Sequence, residues 1–202
     1  MKIKTLKKNN GPAHKNMRSI FGGFTLVETM FAIMILTFTI VGMMTVVSGS
    51  LFAARYAKDE ITANYLIEEV IDSIRNDRDT LVFLQDTQSI DTAWTAFASK
   101  YSPCAGSNGC SFDVLSASTP TACSLSETNG KDLYYDPNAS NTAFYTNDNG
   151  LGNSGKTNSG FQRKILFLQN GDQITVTVTV SWFNGNLPKS RSLSTTLMKW
   201  QS

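Results

Sequence analysis

Residues 29 to 54 are 26 consecutive positions without a charged side chain. One carboxylate, Glu28, sits at the head of that run, in the stretch FGGFTLVETMFAIMIL that begins at Phe21. About 20 apolar residues are enough for a helix to cross the hydrocarbon core of a bilayer, and this run is longer. A carboxylate inside hydrocarbon costs roughly 2.5–3.5 kcal/mol or more at mid-helix. Whatever the chain folds into has to cover the run and accommodate Glu28.

Charge is unevenly distributed around it. Residues 1–23 hold Lys2, Lys4, Lys7, Lys8, Lys15 and Arg18 and no acid, whereas the rest of the chain carries 12 basic and 16 acidic residues. The slightly basic total therefore comes from the first 23 residues and does not argue for a nucleic-acid surface. Six basic residues before an apolar span predict a cytoplasmic N-terminus and export of the residues after Arg55. The only histidine, His14, lies in the same basic segment. Beyond it there is no residue for a Ser–His–Asp triad, a Cys–His pair or a His-bearing zinc site, so no enzymatic activity and no cofactor are expected.

Three readings compete for the run. An ordinary secretory signal has the basic start and a small-x-small site at Ser48 and Ser50, but its apolar stretch is typically shorter. A plain single-pass anchor fits the length and leaves Glu28 and the Gly22–Gly23 pair unexplained. On the third reading, Gly23 followed by Phe24-Thr25-Leu26-Val27-Glu28 and the apolar helix resembles the class III signal of type IV pilins and type II secretion pseudopilins. That resemblance implies cleavage after Gly23 by a prepilin peptidase, N-methylation of Phe24, loss of the leader and retention of the helix. It makes Glu28 the fifth residue of the mature chain, able to pair with the new α-amine of a neighbouring subunit so that each offsets the other's desolvation. The implied partners are other pilin or pseudopilin subunits, the peptidase and an inner-membrane assembly platform.

The helical pattern continues past Arg55. Ala63, Leu66, Ile67, Val70, Ile71 and Ile74 recur at spacings of three and four, with Asp59, Glu60, Glu68, Glu69, Asp72 and Arg75 on other faces. The apolar stripe reads as domain core, and the charged face as solvated. No proline interrupts residues 24–78, which as one helix reach ~80 Å at 1.5 Å per residue. Gly42 and Gly49 are its weak points. The expected organisation is a leader at 1–23, a membrane or filament-core helix at 24–54, an amphipathic continuation at 55–78 and a globular domain at 79–202.

Within that domain, Ser89–Lys100 predicts a short helix with Ile90, Trp94 and Phe97 on one side. Residues 102–160 are dominated by loop chemistry, with strand candidates at Phe112–Leu115, Leu133–Tyr135 and Ala143–Tyr145. Asn147 to Gly160 reads as an exposed loop. Asp148 and its asparagines hint at calcium but lack the repeated acidic ligands of an oxygen cage, so no metal site is assigned. Cys104, Cys110 and Cys123 match no CxxC pattern; they allow three single-disulfide pairings or buried free thiols. Phe161–Gln169 and Gln173–Phe183 flank an Asn-Gly turn, and Ile174, Val176, Val178, Val180 and Trp182 alternate with hydroxyl residues in a half-buried strand. A turn from Asn184 to Pro188 leads to a third strand, Arg191–Trp200, completing an antiparallel meander over 161–200. The fold class is α+β: a long N-terminal helix packed on a C-terminal antiparallel sheet, the form the pilin resemblance implies.

That resemblance implies a structural subunit, a minor pilin or minor pseudopilin, held in the inner membrane until it enters a pilus or pseudopilus. The alternative is a pilus-borne binding module, an adhesin or a DNA-uptake receptor. For DNA the basic residues available are Arg163, Lys164, Lys189 and Arg191, which read as surface charge.

Overall fold

A computed structural model describes residues 23, 25–83, 89–114, 119–127, 130–137, 145–147 and 155–199. The chain divides into two compact units, Met1–Gly49 and Ser50–Ser202. Helix α1, Leu26–Phe83, contributes to both. Its 58 residues pass through Gly42 and Gly49 without a break and end five residues later than the sequence pattern predicts. Neither proline nor glycine follows Asn76 within the helix, so nothing local stops it at 78.

In the first unit every described helical residue is exposed. The segment is long and apolar enough to cross a membrane. Its hydroxyls are satisfied internally: Thr29, Thr37, Thr39, Thr45 and Ser48 each donate to a backbone carbonyl three or four residues earlier. Such back-bonding removes the unpaired donors that hydrocarbon penalises.

The second unit is the α+β domain. After α1 come α2 (Ile90–Lys100) and the short strands β1 (Cys110–Ser111), β2 (Thr121–Ala122) and β3 (Lys131–Tyr135). Three long strands close the chain: β4 (Thr157–Asn170), β5 (Gln173–Asn184) and β6 (Leu187–Met198). The six strands form one antiparallel sheet in the order β2-β1-β4-β5-β6, with β3 also paired to β4. Sheet residues Phe161, Ile165, Phe167, Ile174, Val176, Val178, Val180 and Trp182 join the α1 stripe Ala63–Ile74 and the α2 residues Trp94 and Phe97 in one core. The stripe and the period-two alternation of β5 are therefore both as the sequence predicts. Burying a Val, Leu or Ile side chain gives about 1.5–3 kcal/mol, so this shared core supplies most of the drive for docking helix on sheet.

Ser89 caps α2 through its side chain, which accepts from the Thr92 N–H. At the end of that helix, Tyr101 stacks on Phe167 with ring centroids 4.6 Å apart and donates to Asp77 at 2.6 Å. Lys100 pairs with the same carboxylate, so one acid on α1 anchors the C-terminal end of α2.

Several boundaries differ from expectation. β4 begins at Thr157, so Thr157–Gly160 belong to a strand; β3 pairs with them and overrides their loop composition. The strand expected at Phe112–Leu115 is displaced to Cys110–Ser111, where β4 and β2 supply partners, and Leu115 lies outside the described residues. At the third candidate, Ala143 and Phe144 lie outside them too, and Thr146 forms a single bridge to Tyr134. The first hairpin turns on Gly171–Asp172, with Gly171 at φ 59°, a backbone region where glycine avoids the steric cost of a side chain. The second turns on Gly185–Asn186 alone. Pro188 sits inside β6 opposite Phe183, tolerated because β6 is an edge strand. Trp200 lies outside the described residues.

Candidate functional site

Of the residues singled out by the sequence, Glu28 lies in the first turn of α1. Thr25 caps it, accepting from the Glu28 N–H at 3.2 Å, and its carbonyl accepts from Thr29. A Thr at the cap and a Glu three residues on is the spacing of a capping box, and a carboxylate in a first turn also suits the helix dipole. Glu28 is exposed, and its carboxylate makes no hydrogen bond or ion pair among the described residues. The flanking Leu26, Val27, Met30 and Phe31 are exposed as well. Thus the one ionisable group of the apolar run has no partner from its own described chain, while five neighbouring hydroxyls do. Gly23 is exposed; Phe24 and residues 1–22, which hold the leader and His14, lie outside the described residues.

The second unit contains a different charge arrangement, one that the sequence reading missed. Arg163 is 0% exposed. Its guanidinium donates to the Leu66 carbonyl at 3.4 Å, the Glu69 carboxylate at 3.2 Å, the Phe112 carbonyl at 3.3 Å and the Asn147 side-chain oxygen at 3.4 Å. Burial pushes the guanidinium down from its ordinary range and Glu69 opposes that shift. Gly130, at φ 96°, passes so close to the Arg163 backbone that a Cβ there would come within 2.0 Å of the Arg163 carbonyl oxygen. The signal was available: Phe161, Arg163, Ile165 and Phe167 alternate inward along β4. Parity placed Arg163 inside even though its chemistry suggests a surface.

This corrects two expectations. The basic group Arg163, Lys164, Lys189 and Arg191 is not one surface patch. Arg163 is buried, Arg191 pairs with Glu60 on α1, and Lys189 lies 5.6 Å from the ring centre of Tyr56. Nor is the charged side of α1 simply solvated, since Glu60 and Glu69 both bind arginines from the sheet.

Of the three cysteines, Cys104 and Cys110 form a disulfide and Cys123 remains a buried thiol. The bond closes a tight loop between a short 3-10 turn and β1. Burial raises the Cys123 thiol above its ordinary value, which suits a structural rather than a reactive cysteine. Among the described residues no group of three or more His, Cys, Asp or Glu is placed to hold a metal ion, and Asp148 lies outside them. Comparison of the chain with protein-family models, with curated proteins and with solved structures gives no match.

Proposed function

We propose that the chain is a filament subunit, a minor pilin or minor pseudopilin, matured by cleavage after Gly23 and assembled through α1. The observation that carries this reading is the lone Glu28 carboxylate at the head of an exposed apolar helix whose hydroxyls are otherwise satisfied. In a bilayer that carboxylate penalises a single subunit. Beside a second subunit whose α-amine has been freed at Phe24, the two charges pair and the penalty is relieved. The step therefore favours assembled over isolated chains and sets their axial register. Before assembly the subunit spans the inner membrane with its N-terminus cytoplasmic, in contact with the peptidase and the assembly platform. Its work is structural: initiating, capping or decorating a pilus or pseudopilus, with the α+β unit setting its contacts.

Mass spectrometry of the mature N-terminus tests the reading. The expected product begins at methylated Phe24. A chain that still begins at Met1, or that begins beyond residue 54, removes the amine on which the pairing depends.

A further inference from the structure

Among the described residues β6 pairs with β5 alone, so its other side is a free sheet edge. The register runs from Asn184↔Leu187 to Gln173↔Met198 without a shift. One step beyond, the Lys199 N–H donates to the Asp172 carbonyl at 2.9 Å. Along an antiparallel strand, residues bonded to the neighbour alternate with residues whose N–H and C=O point away. Lys199 therefore fixes the parity. Leu193, Thr195 and Leu197 bond to β5, whereas Ser190, Ser192, Ser194 and Thr196 turn their backbone groups to the open side. Pro188 shares the outward parity, where its missing N–H costs the ladder nothing. Sheets commonly guard such an edge with proline or charge. Here Pro188, Lys189 and Arg191 stand at the turn end, and residues 192–198 carry no charge. Beside this unguarded part, α1 and β6 form a groove of ≈ 390 Å³, lined by Ile71 and Leu193 and by Glu68, Asp72 and Arg75. Asp72 pairs with Arg75, which also donates to the Thr195 hydroxyl. Glu68 is exposed and makes no ion pair among the described residues.

We infer that the β6 edge over residues 192–198 is a docking site for an extended segment of another protein, which adds a strand to the sheet. The main chain of that segment bonds to Ser192, Ser194 and Thr196, and every second side chain turns toward the groove. The groove selects those side chains by chemistry: an apolar residue against Ile71 and Leu193, and a lysine or arginine against Glu68. β6 of a second copy does not supply this, because its Arg191 already pairs with Glu60 and its residues 192–198 are uncharged. The inference stands on the second unit alone and does not need the apolar run to be processed.

The full chain in detergent tests this with three end-blocked peptides. One is Thr-Val-Thr-Lys-Thr-Val-Thr, the second has glutamate in place of lysine, and the third has proline on either side of the lysine. Hydrogen exchange resolved to single amides reads the contact. The lysine peptide is expected to slow exchange at Ser192, Ser194 and Thr196 about tenfold, and to leave Leu193, Thr195 and Leu197 unchanged because they are already bonded to β5. The glutamate peptide should bind about fivefold more weakly, the scale of one exposed ion pair, and Glu68→Lys should reverse that order. The proline peptide, which lacks the N–H groups that face β6, should not bind. Ser194→Pro removes one outward N–H at a position of the parity that tolerates Pro188, so docking is lost while the β5 ladder is kept. Should that variant fail to fold, the exposed Glu68→Lys exchange still decides. Unchanged outward amides with both alternating peptides, or a proline peptide that binds equally well, overturn the proposal. Outward amides already protected in the chain alone overturn it too, since a segment of this chain or of a second copy then occupies the edge.

Discussion

Two charged side chains sit in apolar surroundings in this molecule, Arg163 in the helix–sheet core and Glu28 at the head of the apolar run. Arg163 is fully buried and donates to two backbone carbonyls, a carboxylate and an amide oxygen of its own chain. Glu28 is exposed and finds no partner among the described residues. Desolvating an ion is tolerated when hydrogen bonds and an opposite charge replace water, and is penalised otherwise. The α+β unit meets that condition by itself at both terminal guanidinium nitrogens, and only Nε lacks a partner among the described residues. The apolar helix does not meet it among the described residues, so one charge belongs to folding and the other, on the proposed function, to assembly.

Substitutions at the two positions should therefore differ in what they change. Arg163→Ala strips a buried ion pair of one partner and leaves the Phe112 carbonyl bare, which costs about 3–5 kcal/mol of domain stability. Denaturant unfolding of the full chain in detergent measures it, and a loss under about 1 kcal/mol would make the buried guanidinium a bystander. Glu28→Ala should leave that unfolding curve in place and ease membrane insertion of the single chain. Filament incorporation should fall about thirtyfold, corresponding to roughly 2 kcal/mol for one partner lost from a desolvated pair. Unchanged incorporation in a quantitative blot of sheared filaments would show that the helix head needs no outside charge.

A smaller effect comes from the cross-link inside the second unit. Cys104 and Cys110 are six positions apart, so Cys104→Ser releases a short loop and lowers stability by about 2 kcal/mol under oxidising conditions only. Equal loss in reductant would transfer the effect from the bond to side-chain packing. The smallest effect is the response to alkali. Burial is the main cause that raises both the Tyr101 hydroxyl and the Cys123 thiol above their ordinary values of 10.0 and 9.0; for Tyr101 the hydrogen bond to Asp77 adds to it. The folded state holds these protons more tightly than the unfolded chain. Their contribution is complete below the ordinary values and is lost as pH rises beyond them. Stability should decline above about pH 9, and Tyr101→Phe should flatten the decline. A parent chain equally stable at both ends of that range contradicts the assignment.

How much of this was legible in the sequence depended on whether the signal was local. The Ala63–Ile74 stripe, the Ile174–Trp182 alternation and the α2 residues Trp94 and Phe97 carry their own period, and all are buried except the alternating hydroxyl side. Cys110–Ser111 and Thr121–Ala122 are too short to show a period; β4 and each other make them strands. Thr157–Gly160 have loop composition and become strand because β3 lies beside them. Arg163 stood in a readable inward position, but the usual habit of arginine outweighed its parity. At the apolar run, the long uncharged helix could be read directly, because a run of apolar residues without proline depends on composition more than on distant contacts. Which cysteines pair could not, because that depends on how β1 and the preceding turn are held by β4 and β2.

The reach of Arg163 also bears on the order in which the domain forms. Its contacts span 97 residues back to Leu66 and 51 to Phe112. Closing loops of that size is slow compared with winding a helix, and the reward comes only when the last strands exist. The greasy side of α1 from Ala63 to Ile74 thus waits, without its cover, until β4 and β5 have been synthesised. A chain of this kind leans on early protection of that side during biogenesis, and a truncation before β4 and β5 leaves it bare.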